Sequence, residues 1–501
     1  MAPTPLLGTP PSPVPRPLRA LALAAGLLGA VPALAARPGT LVELGDVEVS
    51  TVKEWREQYQ EKIKTDLGAR FDDFKSLGPM VVLQQMFQEH AAGMVPSRKL
   101  RYTSTDASGQ ERVYSARVFL PSHRAATPPL EVPLVVYQHA TETRRAFTPY
   151  YKKGDETVLG AMFAELCGLA VVMPDGDGMG ADPSPHTHAY CHAKTTALAV
   201  CDLIHAAQGT VGGRRIFDGT NYAWDGKTYV VGYSEGGFIA LAAVKELATN
   251  PAYKDIRLTG AACMGGPFDF ATQIRGLLAD PKAPYSRPYI PAYFLAAWHD
   301  LYPKEVSFAD GANPVLLRTD ASGNVVEWLK GSLGGDQIVP LMAARLTGRK
   351  DGNVSAREVL NEKWVRDTIE NPSSRMSKLL DANSLVGGWK PTAPVLLVHD
   401  PFDETAKFSG TQALYDDWVK QGLKPIGIVK LAVGNKGTGH VGGALVAIPT
   451  AFIWIATGMP RNLMDLSLDA LKGDLSSFQA GEHGGGGSPM GPLDPFMKMP
   501  P

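Results

Sequence analysis

The chain has 501 residues, of which 44 % are apolar, and its 49 basic residues nearly balance 50 acidic ones. A chain of this length and composition is not a disordered or fibrous protein, and it can form one large domain with insertions or two domains. The pI near 6.8 gives no overall positive charge of the kind that attracts nucleic acid, so we expect no nucleic-acid partner.

The first 36 residues have the pattern of an export signal. Arg16 and Arg19 precede an uncharged run rich in Leu and Ala, which ends on the small residues Ala33 and Ala35. An uncleaved membrane anchor is the weaker alternative, because the run is shorter than the roughly 20 residues of a spanning helix and contains a proline. We therefore predict a cleavable signal peptide over residues 1–36 and a secreted or periplasmic mature protein.

Residues 37–98 are predicted to form a helical N-terminal extension, because aromatic and apolar residues recur at helical spacing from Trp55 onward. Two strand patterns with a glycine-containing turn between them follow, at residues 100–105 and 113–120. We expect these to form an antiparallel hairpin at the edge of a sheet.

From residue 134 onward, short apolar strands alternate with helices, which is typical of a parallel sheet covered by helices on both faces. The strands are predicted at residues 134–137, 169–173, 228–231, 258–263, 395–398 and 426–433. This pattern predicts an α/β doubly wound fold, whose core is formed by residues 99–269 and 392–460.

Residues 270–391 separate the fourth and fifth of these strands, whereas one crossover needs only about a dozen residues. We predict that this interval is an inserted helical lid or cap. Its aromatic-rich start can either serve a site or simply form the core of the insert itself. The Gly- and Pro-rich composition of residues 461–501 predicts a disordered C-terminal tail.

Four cysteines are few for a disulfide-built scaffold of this size. Cys167, Cys191, Cys201 and Cys263 allow three complete pairings, among which the sequence does not choose. Buried free thiols are an equal alternative.

A candidate nucleophile lies between a predicted strand and a predicted helix. Gly232, Ser234 and Gly236 fit the pattern G-x-S-x-G, in which small residues allow a strand to turn sharply into a helix. Because a strand precedes it and a helix follows it, we predict that Ser234 is a catalytic nucleophile.

A serine hydroxyl needs a base to accept its proton, and the base needs an acid that holds its tautomer. Asp403 is the predicted acid, since it stands in a polar loop directly after an apolar strand. Asp400 and Glu404 are rivals in the same loop, and Asp269, after an earlier strand, is a more distant one.

The predicted base is His440, which lies in a glycine-rich loop after the last strand. His483 is the only later histidine, and it falls in the predicted tail. The order Ser234, Asp403, His440 along the chain is the order in which a triad occurs when each member follows a successive strand of an α/β sheet.

Acyl transfer also needs N–H donors for the oxyanion. One is predicted to be the backbone N–H of Glu235, whose carboxylate we expect to be incidental to the chemistry. The other is predicted from the loop after the first parallel strand, at Ala140 or Thr141. His139, in the same loop, is interpreted as a structural residue.

We predict no metal and no cofactor. The acidic stretch at residues 174–182 departs from the calcium-loop pattern D-x-[DN]-x-[DN]-G-x₅-E. Met179 occupies the fifth position of that pattern, and His186 stands at the twelfth in place of the glutamate. His186, His188 and His192 lie nearby without a downstream ligand set.

The chain resembles the α/β-hydrolases, and more narrowly the secreted lipases and esterases of bacteria and fungi. The resemblance covers roughly residues 98–460, and the segments that carry it are YQHAT at 137–141, PDGDGMG at 174–180, HAYCHA at 188–193, GYSEGG at 232–237, HDPFD at 399–403 and GTGH at 437–440. It implies a cofactor-free serine hydrolase with a helical lid that acts on carboxylic esters, often acylglycerols. Ala140 and Asp400 stand where such enzymes often have glycine, which makes this chain a divergent member.

The leading hypothesis is an exported esterase or lipase that works through an acyl-enzyme on Ser234, on a small-molecule or lipid ester and in contact with a lipid–water interface. Two alternatives remain open at this stage. One is an exported serine peptidase with the same triad, and the other is a catalytically inactive hydrolase fold that serves as a binding protein. No pattern in the sequence indicates an oligomeric state.

Overall fold

A mixed sheet of ten strands runs through the molecule. The computed structural model describes residues 37–67, 93–106, 108–122, 128–154, 156–183, 186–279, 285, 287–306, 328–344, 355, 360–423, 427–430 and 439–459. The predicted signal peptide over residues 1–36 and the predicted tail over residues 461–501 lie outside the described residues.

The strands of the sheet are β1 (Leu41–Leu44), β2 (Glu48–Thr51), β3 (Met94–Thr105), β4 (Glu111–Phe119), β5 (Leu130–Gln138), β6 (Ala170–Pro174), β7 (Tyr222–Tyr233), β8 (Gly260–Met264), β9 (Val395–His399) and β10 (Gly427–Lys430). They lie in the order β1-β3-β4-β6-β5-β7-β8-β9-β10, and β2 pairs with β3. The six strands from β6 to β10 in this order pair in parallel. β3 and β4 form the predicted antiparallel hairpin, and β4 joins it to β6.

The helices named below are α1 (Val52–Leu67), α2 (Thr157–Cys167), α3 (Ala193–Gln208), α4 (Glu235–Thr249), α5 (Phe270–Ala279), α6 (Tyr289–Leu301), α7 (Gly335–Met342), α8 (Arg375–Asn383), α9 (Phe408–Lys420) and α10 (Gly439–Ala456). Between α7 and α8, a helical turn at Glu362–Trp364 continues as a π-helix at Val365–Ile369. Short 3₁₀ turns occur at Pro149–Tyr151 and Pro251–Tyr253.

The sheet is buried on both faces, as its continuous apolar strands predict. Every residue of β6, β8 and β9 is buried. Because successive side chains of a strand point to opposite faces, Leu134 and Val136 belong to one hydrophobic cluster and Val135 and Tyr137 to the other. α3 and α4 contribute to the first cluster, and α2 and α10 contribute to the second. The predicted α/β fold is therefore confirmed.

The prediction of a helical extension over residues 37–98 needs correction. β1 and β2 pair antiparallel with β3 and so extend the main sheet, and β3 itself begins at Met94. The helical pattern that starts near Trp55 does form α1, in which Trp55 and Tyr59 are buried. The two strands were missed because they are only four residues long and lie at a sheet edge, where exposed side chains weaken the apolar signal.

The interval between β8 and β9 contains helices, as predicted for an inserted segment. Its aromatic side chains pack as a core: the ring of Phe294 lies 5.3 Å from that of Phe270 and 4.9 Å from that of Trp298, centroid to centroid. Phe270, Phe294 and Trp298 therefore form part of the core of the insert.

One helix in the described part of the chain, α10, has the length and hydropathy of a membrane span. It packs instead on the sheet and on α2, where Phe452 stacks on Phe163 with centroids 4.0 Å apart and meets the ring of Tyr137 edge-on at 5.6 Å. The apolar character of α10 is thus explained by burial in the core. All four cysteines are free thiols, and three of them are buried.

A buried arginine makes hydrogen bonds and an ion pair that connect the N-terminal strands to the core. Arg117, on β4, donates hydrogen bonds to the carbonyl oxygens of Pro149 and Tyr150 at 2.9 and 2.8 Å, and to the hydroxyl of Ser97 at 3.0 Å. Its guanidinium also lies 3.3 Å from a carboxylate oxygen of Glu48 on β2. One side chain therefore joins β2, β3, β4 and the turn that precedes α2.

We predict that Arg117→Met lowers the free energy of unfolding by about 3–5 kcal/mol, because it removes the donor from buried acceptors. Lys99→Met is the matched control, since Lys99 also pairs with Glu48, at 3.8 Å, but its side chain is 37 % exposed, against 1 % for Arg117. Its loss should cost no more than about 1 kcal/mol. Urea-induced unfolding of both variants measures the difference, and equal losses would contradict the assigned role of Arg117.

Candidate active site

Ser234 occupies a sharp turn between β7 and α4, with φ 59° and ψ −123°. The turn brings backbone segments so close that side chains are excluded. A Cβ at Gly232 would lie 2.0 Å from the carbonyl oxygen of Gly236, and one at Gly236 would lie 2.1 Å from that of Gln138. A Cβ at Gly237 would lie 2.2 Å from another carbonyl oxygen, on β8. The glycines of the pattern are therefore required by backbone contact.

The three residues of the predicted triad form one continuous hydrogen-bonded chain. Ser234 Oγ lies 2.8 Å from His440 Nε2, and His440 Nδ1 lies 2.6 Å from Asp403 Oδ2. All three side chains are buried. These contacts fit a neutral imidazole whose Nδ1–H donates to the carboxylate and whose Nε2 accepts from the serine hydroxyl. The arrangement can remove a proton from Ser234.

Asp403 is held in its orientation by the loop after β9. Its Oδ1 accepts hydrogen bonds from the backbone N–H groups of Thr405 and Ala406, both at 2.8 Å. Burial alone would raise the pKa of Asp403, but electrostatic attraction to the His440 ring and hydrogen bonds from His399 and His440 hold it well below its ordinary value. The carboxylate therefore stays ionised beside the imidazole.

The two rival acids in the same loop contact backbone near His440 and not its ring. Asp400 Oδ2 accepts from the backbone N–H of Gly439 at 2.8 Å, and Glu404 Oε2 accepts from that of His440 at 3.1 Å. Both N–H groups belong to the first turn of α10, where helices leave donors without an internal partner. The more distant rival, Asp269, accepts from the hydroxyl of Ser384 at 3.1 Å.

The predicted oxyanion loop differs from expectation at one residue. The backbone N–H of Ala140 donates to Glu156 Oε1 at 3.1 Å, and the hydroxyl of Tyr137 donates to the other oxygen of the same carboxylate at 2.5 Å. Ala140 is therefore not a free donor, and the prediction for it is corrected. Thr141 and Glu235 are the remaining candidates, and no acceptor for their backbone N–H groups is found within the described residues. His139 contacts backbone carbonyls, which fits its structural interpretation.

A cavity of about 1260 Å³ opens beside Ser234 and His440. Apolar side chains of its wall come from the insert and from α10, among them Ile290, Val339 and Val441. The wall also contains the charged residues Glu57, Glu61, Glu142, Arg144, Glu156, Arg287, Asp336 and Glu404. The cavity can hold a substrate with both an apolar and a polar part, next to the nucleophile.

The acidic loop after β6 places Asp177, Asp182 and His186 close enough to hold a metal ion, with ligand atoms within 4.8 Å of one another. These groups are already bonded to protein. Asp177 accepts from the hydroxyl of Tyr114 at 2.7 Å and lies 2.9 Å from His186 Nε2, and Asp182 accepts from the N–H of Gly178 at 2.7 Å. These contacts within the protein hold the three side chains close together.

Sequence reasoning missed one buried pair next to the nucleophile. His188 Nε2 lies 2.8 Å from Glu235 Oε1, and both side chains are buried. The two residues are 47 positions apart, so no local spacing could have paired them. The only available signal was a charged residue at the start of the helix predicted after Ser234.

The model of the family described as "Secretory lipase" matches residues 153–461, which is more than half of the chain. No curated protein sequence matches the chain.

Several solved structures share the fold. A protein from Legionella pneumophila described as a hydrolase aligns with a TM-score of 0.64 and 19 % identity, over 83 % of this chain and 96 % of that one. The rice cell wall degrading esterase LipA from Xanthomonas oryzae aligns with a TM-score of 0.61 and 18 % identity, over 86 % and 99 %. Candida antarctica lipase A in its closed state aligns with a TM-score of 0.52 and 16 % identity, over 87 % and 83 %.

The resemblance to secreted lipases and esterases, drawn from short motifs, is therefore confirmed. The chain belongs to the secretory lipase family and is a carboxylic-ester hydrolase with an α/β-hydrolase fold.

Proposed function

We propose that the protein is exported and hydrolyses carboxylic esters through an acyl-enzyme on Ser234. The observation that carries this proposal is the chain of short contacts from Ser234 Oγ through His440 to Asp403, at the wall of a cavity that can hold the substrate. A hydroxyl, an imidazole and a carboxylate in this order form the arrangement that activates a serine nucleophile.

In the first half of the proposed reaction, Ser234 Oγ attacks the ester carbonyl carbon while His440 Nε2 accepts the hydroxyl proton. Asp403 stabilises the resulting imidazolium and keeps its ring oriented. The negative charge on the former carbonyl oxygen is stabilised by the backbone N–H groups of Glu235 and Thr141. His440 then gives its proton to the departing alkoxide, which leaves as an alcohol.

In the second half, water attacks the acyl-enzyme carbonyl and gives a proton to His440 Nε2. Collapse of the second tetrahedral intermediate breaks the bond to Ser234 Oγ, which takes the proton back, and the carboxylic acid is released. Atoms and charge balance with ester and water alone, so the proposal needs no metal or cofactor.

The domain assignment is part of the proposal. Residues 99–269 and 392–460 form the hydrolase core, and residues 270–391 form the lid, whose Arg287, Tyr289 and Val339 line the cavity. Export is supported by the signal pattern over residues 1–36 and by the family's description as secretory. The apolar part of the cavity wall supports a lipid or other ester with an apolar acyl group as substrate.

We predict that Ser234→Ala abolishes hydrolysis of p-nitrophenyl esters and labelling by a fluorophosphonate probe. The substitution removes the nucleophile without changing the buried volume much. Labelling at a residue other than Ser234, or full activity of the variant, would contradict the acyl-enzyme. A folded wild-type protein that the probe does not label would favour the inactive binding protein instead.

We predict that Asp403→Asn lowers kcat by about 10⁴-fold, because an amide in this place disfavours the tautomer with a proton on His440 Nδ1. Glu404→Gln is the matched comparison, since Glu404 accepts from the backbone N–H of His440 and makes no hydrogen bond with its ring. It should lower kcat by less than about tenfold, because the amide oxygen can still accept that hydrogen bond. The reverse order of effects would assign the acid to Glu404.

We predict higher kcat/KM on an alkyl ester than on the N-alkyl amide of the same acid. An amide nitrogen must be protonated to leave, whereas an alkoxide leaves more readily. A series of esters with increasing acyl-chain length, measured against the matched amides, gives the profile. Greater efficiency on the amides would identify a peptidase.

A further inference from the structure

A buried acid–base pair lies directly behind the proposed oxyanion donor. Glu235 is the first residue of α4, and its side chain is only 2 % exposed. His188, in the segment between β6 and α3, is 5 % exposed and places Nε2 2.8 Å from Glu235 Oε1. Neither residue lines the cavity, so neither side chain touches a substrate there.

Each ring nitrogen of His188 faces a hydrogen-bond acceptor. Its Nδ1 lies 2.7 Å from the backbone carbonyl oxygen of Asp177, and its Nε2 faces the carboxylate of Glu235. A carbonyl oxygen and an ionised carboxylate accept hydrogen bonds and donate none. Both ring nitrogens therefore donate, and His188 is an imidazolium paired with Glu235. Burial opposes that charge, but the carboxylate raises the pKa of His188 above its ordinary value.

The surrounding backbone is fitted to the ring of His188. A Cβ at Gly176 would lie 2.9 Å from His188 Cε1, so only glycine allows the loop after β6 to pass this close. On another side, the ring of Tyr293 from α6 lies 6.2 Å from that of His188, centroid to centroid. The imidazolium is thus fixed by the loop and by the insert, and through Glu235 it fixes the start of α4.

We propose that His188 and Glu235 are a positioning pair that holds the backbone N–H of Glu235 toward the oxyanion. The inference rests on the proposed function and deepens it. The side chain and the N–H of Glu235 belong to one residue, so a carboxylate anchored at His188 limits rotation of the peptide that carries the N–H. An oxyanion donor must be aimed before the charge develops, because reorientation during the reaction would reduce its effect.

The test measures kcat, KM and the affinity for a trifluoromethyl ketone that forms a tetrahedral adduct with Ser234. For Glu235→Ala we expect kcat to fall about 10- to 100-fold, with KM within about twofold, because the donor acts on the transition state. Affinity for the ketone should fall by the same factor as kcat. His188→Ala should give the same pattern.

The double variant of Glu235 and His188 separates a pair from two independent residues. If the two act as a unit, the double variant loses no more activity than either single variant. Glu235→Gln keeps a hydrogen-bond partner for His188 without the charge, so we expect only about a two- to fivefold loss of kcat. If Glu235→Ala does not fold, this variant decides: a loss of kcat matched by the loss of ketone affinity supports the proposal, and unchanged kcat overturns it.

Asp202→Ala is the matched control for burial. Asp202, on α3, is an equally buried carboxylate that accepts hydrogen bonds from Ser104 and Tyr253 and does not line the cavity. Its replacement should lower the thermal midpoint and leave kcat of the folded enzyme unchanged. Additive losses for Glu235 and His188, or a rise in KM without a fall in kcat, would overturn the positioning role. Absence of ester hydrolysis by the wild type would instead refute the proposed function itself.

Discussion

The close packing of backbone around Ser234 is the constraint on which the active-site geometry depends. A serine at φ 59° is strained by roughly 1–3 kcal/mol and persists only where its surroundings fix it. Here the N–H of Ser234 donates to the carbonyl oxygen of Met264 on β8 at 2.9 Å, and its own carbonyl accepts from Phe238 in α4 at 3.0 Å. The contact of Gly236 with the carbonyl of Gln138 ties the same turn to β5. Three adjacent parallel strands therefore position one hydroxyl.

A second constraint is the accumulation of carboxylates around His440. Asp403, Asp400 and Glu404 all lie in the loop after β9, yet only Asp403 contacts the imidazole of His440. The other two bind backbone N–H groups at the start of α10, where the helix dipole favours negative charge. A loop with three acids thus supplies one partner for the imidazole and two acceptors for backbone N–H groups beside it. Asp400 stands where similar enzymes often have glycine. Its carboxylate binds the backbone N–H of Gly439, so the aspartate has a structural role here.

The parts of this arrangement that the sequence predicted are those that follow from local pattern. The parallel strands were visible as apolar runs, and Ser234, Asp403 and His440 each stand directly after such a run or its loop. The strands β1 and β2 were not predicted, because edge strands of only four residues are stabilised by pairing with β3 and not by their own composition. The hydrogen bond from the Ala140 N–H to Glu156 joins residues 16 positions apart, and the pair His188–Glu235 joins the segment before α3 to the start of α4. Contacts of this kind cannot be predicted from the spacing of residues along the sequence.

The insert contacts the loop after β5 and also forms part of the cavity wall. The hydroxyl of Thr143 donates to the carbonyl oxygen of Leu333 at 2.6 Å, and the N–H of Arg145 donates to that of Gly331 at 2.8 Å. Tyr293, which packs beside His188, also donates from its hydroxyl to the carbonyl oxygen of Glu142 at 3.2 Å. Tyr293 of α6 therefore contacts both the residue that follows Thr141 and the ring of His188, which in turn binds the carboxylate of Glu235. The insert is in this way packed against the two segments that flank Ser234.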